Sequence, residues 1–202
     1  MKTTLLLGIF LFCFVNVFAE GEYENKIYFF GEKFSHRIFV TESFCYSTLS
    51  EVDFSLSRLN HCDFSFTQCE KTIFTDTCLY RTRFMYANCH KAKFNNSSLV
   101  NAWLWHGNYT GADFTNANLK DAAMFFCKIG TEGEDKTIVT GANFKNVWGL
   151  TNIQKKYLKE HGAINVPEDC DEEKEFEEFK AKLNKRIEEG FIFYPLNKWF
   201  RL

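Results

Sequence analysis

Ala112-Asp113-Phe114-Thr115-Asn116 runs without a break into Ala117-Asn118-Leu119-Lys120-Asp121. These are two copies of one five-residue design: a small residue, a polar one, a large apolar one, then two that vary. The large residue keeps its spacing far beyond this stretch. From Phe34 every fifth position is apolar: Phe34, Phe39, Phe44, Leu49, Phe54, Leu59, Phe64, Cys69, Phe74, Leu79, Phe84, Cys89, Phe94, Leu99, Leu104, Tyr109, Phe114, Leu119, Met124 and Ile129. Neither a helical period of 3.6 nor a strand period of 2 yields a strict five. A fixed repeat of this kind marks a repeat architecture.

A second register follows the first. Two positions before the large residue the chain is mostly small: Ser47, Ser57, Thr67, Thr72, Thr77, Thr82, Ala87, Ala92, Ser97, Ala102, Gly107, Ala112, Ala117 and Ala122. A large and a small residue at fixed spacing, both facing inward, suit a narrow tube. The three positions between them are polar or variable and are expected to face water.

These units resemble the A(D/N)LXX repeat of the pentapeptide-repeat proteins. Ala142-Asn143-Phe144, Val52-Asp53-Phe54 and Cys62-Asp63-Phe64 carry the same resemblance, which covers residues 32 to 149. It implies an all-β solenoid: a right-handed quadrilateral parallel β-helix in which each unit is one side and four units close a coil. The sequence supports four sides independently. Residues twenty apart form columns of distinct character: Phe34, Phe54, Phe74, Phe94, Phe114; then Phe39, Leu59, Leu79, Leu99, Leu119; then Phe44, Phe64, Phe84, Leu104, Met124; then Leu49, Cys69, Cys89, Tyr109, Ile129. Three sides per coil would mix these identities. About five to six coils are expected, and five give a rod about 24 Å tall at the ~4.8 Å strand spacing. One coil has no core of its own, so neighbouring coils supply the burial.

The flanks read differently. Residues 1–19 form a signal peptide: Lys2 is the positive n-region, Leu5 to Phe18 the apolar core, and Val17-Phe18-Ala19 the cleavage site, so the mature chain should begin at Glu20. The alternative, a membrane anchor, has an apolar run short of the ~20 residues a span needs. Cys13 lies inside that run and does not mark a lipid-modified cleavage point. Residues 20–33 are expected to cap the N-terminal end through Ile27-Tyr28-Phe29-Phe30, with Glu32 and Arg37 making the first coil irregular. The β-helix spans 34–149 and contains a loop at 130–136, which reads as a surface loop replacing one side. Residues 150–164 form a capping helix: Thr151 and Gln154 make a capping box, Ile153, Tyr157 and Leu158 an apolar face, and Gly162 the stop. Residues 168–202 hold an acidic amphipathic helix from Asp171 to Glu189, with Phe176, Phe179, Leu183 and Ile187 as its stripe. An apolar tail, Phe191-Ile192-Phe193-Tyr194-Pro195-Leu196 to Trp199-Phe200, closes the chain.

Chemistry is sparse. No nucleophile elbow, phosphate loop, metal-ligating helix or CxxC occurs, so no catalytic, cofactor-binding or metal residue is named and no enzyme is expected. By repeat phase Cys62, Cys69, Cys89 and Cys127 point inward and Cys45 and Cys78 outward; Cys170 lies in the tail. Cys69 and Cys89 should stack, but parallel Cβ vectors ~4.8 Å apart exceed the ~3.8 Å of a disulfide. They read as free thiols filling core space, with a disulfide as the alternative. His36, His61, His90, His106 and His161 read as surface residues, none placed by phase beside a cysteine or carboxylate. Asn96 and Asn108 lie in glycosylation sequons, which matter only on an ER route.

The net charge of −2 points to no nucleic-acid partner. The resemblance raises one: some pentapeptide-repeat proteins mimic duplex DNA and shield topoisomerases. That requires an acidic rod. Residues 32–129 hold nine acids and ten bases, and export would separate the chain from such a target. The leading expectation is therefore a non-catalytic scaffold, periplasmic or extracellular, binding a protein partner through its outward residues, the 130–136 loop or the C-terminal extension. A secreted effector using 191–202 for membrane or host contact is the alternative. Rods could also stack end to end if their caps are incomplete.

Overall fold

The computed structural model describes residues 28–188. Its rod is built from single parallel bridges between residues twenty apart. Tyr28 pairs with Thr48, Lys33 with Asp53, Ile38 with Arg58 and Ser43 with Asp63, and the series continues to Asn108 with Lys128. Four columns of bridges mean four sides. The bridging residue is the one just before each large apolar residue.

Every unit solves the same backbone problem. Phe54 N–H donates up to the Ile73 carbonyl at 2.8 Å, and Asp53 N–H donates down to the Glu32 carbonyl at 2.9 Å. The corner is closed by Ser57 N–H donating to the Phe54 carbonyl at 3.2 Å. Buried polar backbone is thus paired on both sides. Turning the corner forces the second residue after each large one to positive φ, from His36 (59°) and Thr41 (64°) through His106 (52°). Most of these are not glycine, although a left-handed backbone costs an ordinary residue about 1–2 kcal/mol. The hydrogen-bonded coils on either side hold them there.

The interior follows from the two registers. Phe54, Phe64, Phe74, Phe84 and Phe94 are fully buried. Rings in one column stack, as Phe44 on Phe64 at 4.7 Å and Phe64 on Phe84 at 5.0 Å. Rings from opposite sides meet edge to face, as Phe74 and Phe84 at 5.5 Å and 87°. The small positions carry hydroxyls for a reason beyond size. Thr72 Oγ1 donates to the Leu49 carbonyl at 2.7 Å and Thr82 Oγ1 to the Leu59 carbonyl at 3.0 Å, so buried hydroxyls tie each coil to the one before. In the fourth column the thiols of Cys69 and Cys89 leave room and Tyr109 fills it. Gly107 is required by that ring, since a Cβ there would lie 2.5 Å from Tyr109 Cε2.

The N-terminal segment extends the repeat instead of covering it. Phe29 takes the inward phase, its N–H bonds the Thr48 carbonyl at 2.8 Å, and its ring lies 4.9 Å from Phe34. Tyr28 and Phe30 flank it and point out, 73% and 70% exposed. The first coil is regular in its backbone despite Glu32 and Arg37. Among the described residues Phe29, Phe34 and Phe39 stay only partly buried.

The loop at 130–136 does not replace a side. Bridges beyond it connect Asp113 with Ile138, Asn118 with Asn143 and Ala123 with Trp148, twenty-five apart. Five residues have been inserted and pinched off at the base, where Thr137 Oγ1 accepts from Gly130 N–H and donates to the Tyr109 carbonyl, both at 2.8 Å. Val139 therefore sits over Phe114, and Phe144 over Leu119.

Helix α1, Asn152–Glu160, has the expected capping box between Thr151 and Gln154. Its buried face differs from the expected one. Ile153 is 77% exposed, while Lys155, Tyr157 and Leu158 are buried. The face is fixed by Gln154 Nε2 donating to the Cys127 carbonyl at 3.0 Å and Tyr157 Oη donating to the Thr137 carbonyl at 2.8 Å. That rotation turns Ile153 outward. Tyr157 and Leu158 join the rod's core, and Ile164 adds a last bridge to Asn143. Helix α2 is Glu172–Glu188. The expected signal peptide at residues 1–19 and the apolar run from Phe191 lie outside the described residues.

Candidate interaction surface

The side of the rod that carries Phe44, Phe64, Phe84, Leu104 and Met124 becomes apolar on its outer face toward the C-terminal end. Met85, Trp105, Ala123 and Phe125 occupy outward positions there and are nevertheless buried. They were expected to face water; α2 covers them. Phe179 lies 5.5 Å from Trp105, 5.0 Å from Phe125 and 5.8 Å from Trp148, and Phe176 lies 5.2 Å from Phe125. Leu183 is buried, and Lys182 Nζ sits 4.0 Å from the Trp148 ring centroid. The stripe of the acidic helix thus packs on the flank of the rod. Outward Trp and Phe residues within the repeat were the sequence signal for this docking site.

One corner of the same side carries a ladder of rings. Tyr46 stacks on Phe66 at 4.9 Å, Phe66 on Tyr86 at 5.0 Å, Tyr86 on His106 at 4.6 Å and His106 on Phe126 at 4.8 Å. All five stand at the positive-φ corner position, twenty residues apart. The coil spacing sets the ring spacing. Tyr86 is 48% and Phe126 58% exposed, so the ladder's edge reaches solvent. Partial burial lowers the His106 imidazole from its ordinary value, which favours the neutral ring between its neighbours. Phe126 also meets Phe176 at 5.6 Å, joining the ladder to the α2 contact.

The loop is pinned by a charge pair. Asp135 Oδ1 forms an ion pair with Lys91 Nζ at 2.9 Å and lies 3.8 Å from His90 Nε2, and the Asp135 carbonyl accepts from Gly111 N–H at 2.6 Å. Lys91 holds the Asp135 carboxyl below its ordinary range. Repeat phase put no carboxylate beside any histidine; the insertion carries Asp135 back across the corner to His90. Of the other histidines, His61 faces Tyr80, His161 stacks on Tyr157 and His36 is exposed.

A polar cluster joins the two helices. Lys155, 1% exposed, donates to Cys170 Sγ at 3.0 Å, and that thiol donates to Glu175 Oε2 at 2.9 Å. Glu175 Oε1 accepts from Gly149 N–H at 3.2 Å. Burial and the bond to Glu175 raise the Cys170 thiol above its ordinary value. Asn152 and Cys170 exchange two further bonds, at 3.0 and 3.1 Å. These contacts fix where α2 begins relative to the rod.

The inward cysteines are Cys62, Cys69, Cys89 and Cys127, and all seven described cysteines are free. Burial raises the Cys62 thiol to about 12. Asn108 is half-buried and donates to Asn88 at 3.0 Å, whereas Asn96 is exposed and accepts from Asn116 at 3.3 Å. Among the described residues no group of three or more His, Cys, Asp or Glu could hold a metal ion, and no helix is long and apolar enough to cross a membrane.

Comparison with known proteins matches residues 62–101 and 92–124 to the family model for pentapeptide repeats, in eight copies. No curated protein matches the chain. Among solved structures, HetL, a pentapeptide repeat protein involved in heterocyst differentiation regulation from the cyanobacterium Nostoc sp. strain PCC 7120, is 19% identical over 60% of each chain, with a TM-score of 0.30. The present chain thus spans about three fifths of HetL. A pentapeptide repeat protein of the Arabidopsis thaliana thylakoid lumen is 24% identical over 69% of this chain and 86% of its own, with a TM-score of 0.28. Full-length QnrB1, a plasmid-mediated fluoroquinolone resistance protein, is 16% identical over 66% and 95%, with a TM-score of 0.29.

Proposed function

We propose that this chain, a pentapeptide-repeat protein, is an exported, non-catalytic scaffold that holds a protein partner along the aromatic corner of its rod. The observation that carries the reading is the ladder from Tyr46 to Phe126, whose outer edge stays open at Tyr86 and Phe126. A continuous apolar row on a rigid support suits recognition of another surface better than chemistry. About six right-handed coils hold the row straight, and α1 closes their C-terminal end. Residues 1–19 direct the chain to the periplasm or the exterior.

The test has two arms. N-terminal sequencing of the chain recovered from its native compartment should start at Glu20; a chain that keeps residues 1–19 overturns export. Pull-down from that compartment should lose its partner with the double variant Tyr86→Ser, Phe126→Ser. Capture unaffected by that pair overturns the ladder as the binding surface.

The apolar run at 191–200 favours a second reading, a secreted effector whose tail engages a membrane or host partner. A chain lacking residues 191–202 separates the two: the scaffold keeps its partner, the effector loses it.

A further inference from the structure

We propose that Lys155 and Cys170 form a peroxide-driven covalent cross-link, a sulfenamide between Nζ and Sγ, which locks the two helices of the C-terminal cap together. Three observations converge on it. The amine and the sulfur are 3.0 Å apart and already in hydrogen-bond contact. The amine is buried to 1% exposure on α1, a setting in which a lysine has few other positions to occupy. Glu175 stands beside both, 2.9 Å from the sulfur and 3.7 Å from the nitrogen, and can take a proton from either. An open cleft of about 360 Å³, lined among others by Pro167, Asp171 and Lys174, reaches the same three side chains and admits a small oxidant.

The chemistry balances with one hydrogen peroxide. Glu175 takes the Cys170 thiol proton, the thiolate attacks the peroxide, the O–O bond breaks, and the leaving hydroxide takes that proton back from Glu175 as one water, leaving a sulfenic acid; sulfur is oxidised by two electrons and the peroxide reduced. The Lys155 ammonium gives a proton to Glu175. The neutral amine then attacks the sulfur, the S–O bond breaks, and the leaving hydroxide takes a proton from nitrogen as the second water. Thiol, ammonium and peroxide become a sulfenamide, two waters and the proton left on Glu175. A thiol reductant reverses the bond, as it does the sulfenamides that sulfenic acids form with backbone nitrogen.

The cross-link would change what the cap can do. In the reduced protein hydrogen bonds and the Lys155–Glu175 ion pair hold α2 and its linker to α1, and the aromatic stripe holds α2 to the rod. In the oxidised protein the linker entering α2 is bonded to α1, so α2 cannot swing away from Trp105 and Phe125. The site depends on the packed cap and needs no partner on the ladder, so it stands or falls separately from the scaffold reading.

The experiment exposes the folded full chain to hydrogen peroxide and maps it by mass spectrometry after non-reducing digestion. The expected product is a peptide containing Lys155 joined to one containing Cys170, about 2 Da lighter than their sum and separated again by a thiol reductant. The same treatment in urea, where proximity is lost, should leave the pair unjoined. In Lys155→Arg the linked product should vanish and Cys170 should proceed to sulfinic acid. Cys170 ending in sulfinic acid or an intermolecular disulfide in the folded wild-type chain, with Lys155 unmodified, overturns the proposal. So does equal linkage in urea.

Discussion

Phe54 and Phe74, twenty residues apart in the chain, lie with ring centroids 5.6 Å apart and planes 5° from parallel. Each also meets a ring of the opposite column edge to face, Phe54 with Phe64 and Phe74 with Phe84. Every ring in mid-rod is therefore held from above, below and across. Loss of one ring should be felt most where all three neighbours exist.

Phe74→Ala should cost about 3–5 kcal/mol, the range for a fully buried aromatic. Phe34→Ala should cost clearly less, because Phe34 is only partly buried at the first coil. Urea unfolding midpoints at constant slope will measure both.

Tyr109→Phe should stabilise the rod by about 1–2 kcal/mol. The Tyr109 hydroxyl is fully buried and makes no hydrogen bond, a penalty of about 1–3 kcal/mol in proteins. Burial also raises its pKa well above the ordinary phenol. Gly107→Ala, by contrast, should destabilise, because its methyl would overlap the same ring. Opposite shifts of the urea midpoint are the expected result.

Thr41→Asn should raise stability by about 1 kcal/mol. Thr41 is exposed, β-branched and held at φ 64°, a region that asparagine enters far more readily. No core contact is lost, so the gain should appear in the unfolding midpoint alone.

The loop at 130–136 should loosen in acid. The Asp135 carboxyl is held below its ordinary value in the folded chain, so its contribution is complete above that ordinary value. As pH falls through the lowered folded value, Asp135 takes up a proton, and the bond to Lys91 is lost. The protection factor of the Gly111 amide, bonded to the Asp135 carbonyl, should fall over that interval. Asp135→Asn should show low protection at every pH.

Phe179→Ala should weaken the docking of α2 by about 1–3 kcal/mol, less than a core deletion because the ring is only partly buried. Tryptophan emission should shift red as Trp105 and Trp148 meet water. Unfolding of the rod itself should change little.

The rod was legible because its rule is strict. One large inward residue in five, from Phe34 to Ile129, leaves no other secondary structure that fits. The helix start at Thr151 was legible for the same reason, since a capping box is a local chemical pattern. What escaped was set by distant contacts. The corners carry no glycine signature, because flanking coils impose positive φ on His61, Phe66 and Lys71 alike. The insertion is one unit long, so phase returns at Val139 whether a side is replaced or bypassed; only the pairing of Asp113 with Ile138 decides. Ile153 faces out and Lys155 in because Gln154 bonds a carbonyl of the rod and Cys170 and Glu175 receive the amine. The apolar flank was visible as Trp103, Trp105 and Phe125 at outward positions, yet Phe176 and Phe179, which cover it, lie some fifty to seventy-five residues later in the chain.

The bonds between coils, such as Phe74 N–H to the Lys93 carbonyl at 2.7 Å, run along the length of the rod. Under tension applied at its two ends, those bonds would be loaded in line and would give way one layer at a time. Each yielding layer frees twenty residues, about 66–72 Å of extended chain. The molecule is in that sense a spring with a fixed step, and only the layer bearing the pinched loop, five residues longer, would lengthen by more.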